Sequence, residues 1–213
     1  LLSQFELQRD DHVYFIGDYI DRGPDSKGVI DTIWFLEKAG MKVTALCGNH
    51  EEECLRACHD AQTLERWSGF GGIKTLASFG VDHPTEIPAA YLDFMKDLPY
   101  YAVVDNYILV HAGLNFDIPD PFIDTTSMLW IRDYEVDRKW LNGRKIIHGH
   151  TPVNYVEVKD AVMHHRPKID LDNGCVYPYK EGMGYLCGLE LTQWGFYKQQ
   201  NIDMPPNVGW REM

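Results

Sequence analysis

Three residues that can bind a cation and a phosphate stand close together early in this chain: Asp18, Asp21 and Arg22, in the stretch VYFIGDYIDRG over 13–23. They follow an apolar run over 13–16 that reads as a buried strand ending at Gly17. Carboxylates just past the end of a parallel strand lie where open α/β sheets gather their ligands. Asp and Gly are also ordinary turn formers, so this stretch alone decides little. Three further apolar runs end the same way: 43–47 leads into Gly48-Asn49-His50, 107–110 into His111-Ala112-Gly113, and 145–147 into His148-Gly149-His150. Asp18, Asn49, His111 and His150 make a mixed oxygen and nitrogen ligand set. It suits manganese, iron or zinc and fits calcium poorly, because calcium prefers oxygen alone. A lone strand-end histidine is more often structural than a ligand. Four such ends in one chain predict a metal site.

The elements that must position these residues alternate. After the DRG turn, Pro24-Asp25-Ser26 supplies a helix start, and Val29, Ile30, Ile33, Trp34 and Phe35 fall at helical spacing up to Lys38. Further helices are expected over 51–60 and 88–98, a hairpin over 101–110, and a short apolar element over 128–132 that delivers Arg132. Strand and helix in this rhythm mark a parallel sheet. Segments 169–171, 186–191 and 195–199 read as consecutive strands of a second sheet, and residues 1–7 as the tail of an amphipathic helix. The glycine-rich stretch 67–72 matches neither phosphate-cradle pattern and reads as a lid or packing corner. The expected fold is α/β: two mixed β-sheets packed as a sandwich with flanking helices, in a single domain over 1–213.

Composition sets the outer bounds. A net charge of −12 argues against a nucleic-acid polymer or a membrane surface as partner, since both favour basic proteins. It leaves room for an anionic substrate, because a bound metal reverses the local field. No apolar run approaches the ~20 residues of a membrane span. Cys47, Cys54, Cys58, Cys175 and Cys187 form no CxxC pair and read as free thiols of a cytoplasmic protein.

With GDYIDRG, GNHE, HAG and HGHTP in this order, the chain resembles the calcineurin-like metallophosphoesterases. More narrowly it is similar to their phosphoprotein-phosphatase branch, of the bacterial serine/threonine type, and to the related symmetrical dinucleoside tetraphosphatases. The resemblance covers about 13–189 and implies a centre of two divalent or trivalent metal ions. Asp18 would bridge both ions, and Asn49, His111 and His150 would complete the shell of the second. His50 would be the general acid with Asp21 orienting its ring, and Arg22 and Arg132 would hold the phosphate. Two cations ~3.5–4 Å apart can activate a water and neutralise phosphoryl charge. The family's first metal also draws on a GDxHG motif before DRG, and the seventeen residues ahead of Asp18 hold none. His12 is on the wrong side of its strand to substitute. The expectation is therefore an N-terminally truncated chain, with the first strand missing and the first metal site incomplete.

The function expected is a metal-dependent phosphomonoester hydrolase, foremost a serine/threonine protein phosphatase acting on a phosphorylated protein or a small phosphoester. The alternatives are a dinucleoside polyphosphate hydrolase and, second, a non-catalytic metal-binding scaffold. Of the remaining polar residues, His148 reads as a packing or supporting group. Asp172 either supports the site or turns with Asn173-Gly174, and Glu51 begins a helix, where a carboxylate complements the dipole.

Overall fold

A computed structural model describes residues 1–203, so residues 204–213 of the expected domain lie outside the described ones. Strand β1 (His12–Phe15) runs into α1 (Ser26–Lys38) and returns as β2 (Lys42–Ala45), parallel to β1 with His12 opposite Lys42 and Phe15 opposite Ala45. The helix starts where Asp25 accepts the backbone N–H of Gly28 at 2.8 Å, and it buries Ile30, Ile33 and Leu36. Four helices follow: α2 (Asn49–Ala57), α3 (Ala61–Trp67), α4 (Ile73–Phe79) and α5 (Ala89–Lys96). With α1 they close one apolar core around Ile30, Ile33, Cys54, Trp67, Leu76 and Met95.

The hairpin β3 (Tyr101–Val104) and β4 (Tyr107–Val110) turns at Asp105-Asn106. After α6 (Thr125–Trp130) and α7 (Arg138–Leu141), β5 (Lys145–His148) pairs in parallel with β4. Helix α8 (Tyr155–Met163) then crosses over to β6 (Lys168–Asp170), parallel to β5, and β7 (Tyr185–Leu189) and β8 (Phe196–Gln200) form an antiparallel hairpin. Tyr14, Ile16 and Leu46 from the β1–β2 side pack on Leu109, Ile147 and Ile169 from the β3–β6 sheet, and the last hairpin adds Leu189 and Phe196 to the same core. The fold is α/β with mixed sheets and flanking helices, as expected. Among the described residues no helix is long and apolar enough to cross a membrane.

Two local expectations fail. The strand at 169–171 does not join the last two strands in one ladder. Helix α8 returns it beside β5, and its link to the hairpin is the isolated bridge between Asn173 and Tyr185. Residues 1–7 are not a helix tail either: a 3-10 turn at Leu2–Gln4 gives way to extended backbone at Phe5. So short a segment cannot hold a helix by itself, and its apolar groups find a surface instead. Phe5 packs 4.3 Å from the Tyr197 ring, and Gln4 Nε2 donates to Lys198 O at 3.3 Å.

Candidate metal centre and active site

The ends of β1, β2, β4 and β5 meet at one place. Gly17, at φ +101°, makes the approach possible, since an added Cβ there would lie 2.7 Å from both Gly48 Cα and His111 Nδ1. Asp18, Asp21, Arg22 and His150 also hold positive φ, at 60°, 73°, 57° and 74°. Non-glycine residues persist in that region only where the surroundings over-determine them, and such sites cluster at functional centres.

His111 Nδ1 donates to Ile16 O at 2.8 Å, which turns Nε2 toward the centre. That nitrogen is 3.0 Å from Asn49 Oδ1, 3.2 Å from His150 Nδ1 and 3.4 Å from Asp18 Oδ1. His150 Nδ1 is 2.9 Å from Asn49 Oδ1. Four predicted ligands therefore converge, and the ligand atoms of Asp18, His111 and His150 all lie within 4.8 Å of one another. Burial and the neighbouring His111 push His150 down to about 4, so its ring is a neutral donor of a lone pair. Burial pushes the other way on Asp18, but His111, His50, His150 and Arg22 outweigh it and keep the carboxyl below its usual range. A carboxylate, an amide oxygen and two imidazole nitrogens crowded together fit a borderline divalent cation, which would satisfy all of them at once.

His50 stands beside this cluster, 4% exposed, with Nδ1 2.6 Å from Asp21 Oδ2. Burial alone would lower its pKa, yet the hydrogen bond to Asp21 and the charge of Asp18 raise it above the ordinary imidazole value. Arg22 places its charge close to Asp18, His50 and Asp172, and the exposed Arg132 places its charge close to His150. Neither guanidinium makes a hydrogen bond or ion pair among the described residues. The structure thus brings the eight residues named from the sequence near one another.

Two contributors escaped the sequence reading. Glu51, fully buried, does far more than begin a helix. Its Oε2 accepts the backbone N–H groups of Gly48 and Asp18 at 2.9 Å each, and Oε1 accepts those of Tyr19 at 2.7 Å and Ile20 at 3.3 Å. One carboxylate thus pins the Asp18 turn to the start of α2. The only sequence signal was an acidic residue directly after the asparagine and histidine. The second is Thr75 on α4, whose hydroxyl donates to Asp21 Oδ1 at 2.6 Å; nothing in its local sequence marks it.

The secondary candidates fall into place. His148 is buried beside Tyr134 at 5.7 Å between ring centres, driven down to about 3 by burial, and acts in packing. Asp172 accepts the N–H of Gly174 at 2.8 Å, as a turn former does. His12 caps the far end of β1, with Nε2 2.9 Å from Thr44 Oγ1. The glycine-rich stretch is a packing corner: Trp67 is fully buried, and Gly71 O accepts the Arg22 N–H at 3.4 Å.

The calcineurin-like phosphoesterase pattern matches residues 1–192. This chain belongs to that family, and it is a hydrolase of phosphoric ester bonds whose family uses divalent metal ions. Among relatives, the protein named bis(5'-nucleosyl)-tetraphosphatase PrpE [asymmetrical] of Oceanobacillus iheyensis is 25% identical over 83% of this chain and 74% of its own length. Its namesake in Anoxybacillus flavithermus is 24% identical over 91% of this chain and 79% of its own. The hypothetical protein PH1004 from Pyrococcus horikoshii OT3 shares the fold at TM-score 0.56, with 12% identity over 89% of this chain and 74% of that one.

Proposed function

We propose that this protein hydrolyses dinucleoside polyphosphates with bound divalent cations. The observation that carries the reading is the pair of PrpE relatives, which span 83% and 91% of the chain. In this reading Asp18, Asn49, His111 and His150 hold a cation, which when bound supplies Lewis acidity at the phosphoryl group and makes a nearby water more acidic. Arg22 and Arg132, unpartnered among the described residues, take phosphoryl oxygens with their planar forks. His50 has Nδ1 committed to Asp21 at 2.6 Å, so Nε2 is the nitrogen left to carry a proton to the leaving oxygen. A cytoplasmic location belongs to the same proposal, supported by five unpaired cysteines.

The test is incubation with diadenosine tetraphosphate and manganese, with products separated by anion exchange. The expected products are ATP and AMP for an asymmetrical cut, or ADP alone for a symmetrical one, and His111→Ala should form neither. No nucleotide product with an intact, metal-loaded protein would end this reading. A second reading, phosphomonoester hydrolysis on phosphoserine or phosphothreonine, is favoured by the His50–Asp21 pair itself. An alkoxide leaving group needs a proton far more than an anhydride does, so turnover of phosphopeptides in place of the dinucleotide would move the assignment there.

A further inference from the structure

Behind the His50–Asp21 pair lies a residue that belongs to no motif. Thr75 sits on α4, is 0% exposed, and is separated from Asp21 by 54 positions. Its hydroxyl donates to Asp21 Oδ1 at 2.6 Å, and its oxygen accepts the Asp21 backbone N–H at 2.8 Å. Ser26, entering α1, accepts the same N–H at 3.1 Å. Because the Thr75 proton is committed to Asp21, the Ser26 hydroxyl is the donor across the 3.1 Å to Thr75 Oγ1. One oxygen of the Asp21 carboxylate and its backbone amide are thus both fixed, which aims the other oxygen at His50 Nδ1, 2.6 Å away. Both residues are buried, Asp21 at 6% exposure, and Leu76, next to Thr75, belongs to the apolar core. A buried threonine on a helix often bonds to its own preceding turn. This one reaches across to a carboxylate on another loop.

We propose that Thr75 is a positioning residue for proton delivery: it locks Asp21, and Asp21 locks the ring of His50 with Nε2 toward the leaving oxygen. Thr75 touches no substrate. The inference rests on His50 being the proton donor, and the experiment separates the two ideas.

Thr75→Val, Thr75→Ser and His50→Asn are compared with the parent protein on phenyl phosphate and p-nitrophenyl phosphate in manganese. Phenoxide, whose conjugate acid has a pKa near ~10, needs a proton to leave, and nitrophenoxide needs little help. Thr75→Val is expected to lose about tenfold or more in kcat on phenyl phosphate, less than about threefold on p-nitrophenyl phosphate, with KM held and Thr75→Ser restoring the rate. Equal losses on both substrates, or a serine variant no better than valine, would overturn the inference. A readout that needs no turnover runs beside it: heteronuclear NMR of the His50 ring. At a pH high enough to leave the ring neutral, the parent should show one tautomer, with the proton on the Nδ1 that faces Asp21, and Thr75→Val a mixture; an unchanged spectrum would also overturn it. If Thr75→Val does not fold, Ser26→Ala is read by the same two criteria, with a smaller selective loss expected and none being fatal. Should His50→Asn fail to distinguish the two substrates, the proton-donor assignment is what has failed, and the role of Thr75 falls with it.

Discussion

Asp18, Glu51 and Asp170 are carboxylates near the same strand ends, and their surroundings send them in different directions. Asp18 is held below its usual range by the histidines around it, whereas burial lifts Glu51 to about 7 and Asp170 to about 8. Asp170 lies 3.9 Å from His148, whose ring burial keeps neutral, and the charge of Lys168 offsets burial only in part. The folded chain therefore keeps a proton on Asp170 that the unfolded chain releases above pH ~4. Stability from this group is full below pH ~4 and falls as pH rises through about 8. Urea midpoints at pH 5 and pH 8 should show the parent losing on the order of 2–3 kcal/mol, and Asp170→Asn clearly less. The same slope in both proteins would count against the assignment. The amide oxygen of the variant can still accept the Asp172 N–H, which Asp170 Oδ1 accepts at 2.8 Å, so the turn itself should survive.

Among the elements, the wide turn between α3 and α4 carries more than its sequence promises. Gly71 holds φ +119°, and an added Cβ would stand 2.7 Å from the Arg22 backbone nitrogen. The turn is the buttress of the DRG loop, and α4 continues from it to Thr75. Gly71→Ala is expected to cost about 1–3 kcal/mol through strain and to displace Arg22, raising KM for phosphoesters more than it lowers kcat. Gly80→Ala is the control: its φ is +68° with nothing within 4 Å of the added Cβ, so it should lower stability while leaving KM alone. If the two variants raise KM equally, the buttress idea is wrong. Glu51 braces the same loop through the amides of Asp18, Tyr19 and Ile20. A helix start thereby holds a strand end through backbone amides.

On the scale of the whole molecule, the candidate metal centre gathers one residue from each of four strand ends in two differently paired sheets. An ion bound there should tie those sheets together and stabilise the native state alone. A cation at about 100 times its dissociation constant contributes about 2.7 kcal/mol, which for a chain of this size raises Tm by roughly 5–10 °C. Scanning calorimetry with and without manganese is the measurement. His111→Ala should forfeit most of the shift, and an undiminished shift in that variant would place the ion elsewhere. Against the protein's charge of −12, the positive charge of Arg22 and Arg132, and of an ion once bound, is local to the candidate site.

The sequence by itself determined which strand ends place candidate ligands together. Asp18, Asn49, His111 and His150 each sit one to three positions past an apolar run, and both the run and the polar residue after it are local signals. The same locality made α1 and the β3–β4 hairpin legible. Tertiary structure alone decided what stands behind those residues. Thr75 and Glu51 act through contacts 54 and 32 positions away in the chain, and a hydroxyl or carboxylate gives no local sign of which distant amide it will meet. Sheet pairing at Ile169 was likewise a tertiary choice. An apolar strand fits several ladders, and the crossover through α8 fixes which one it joins.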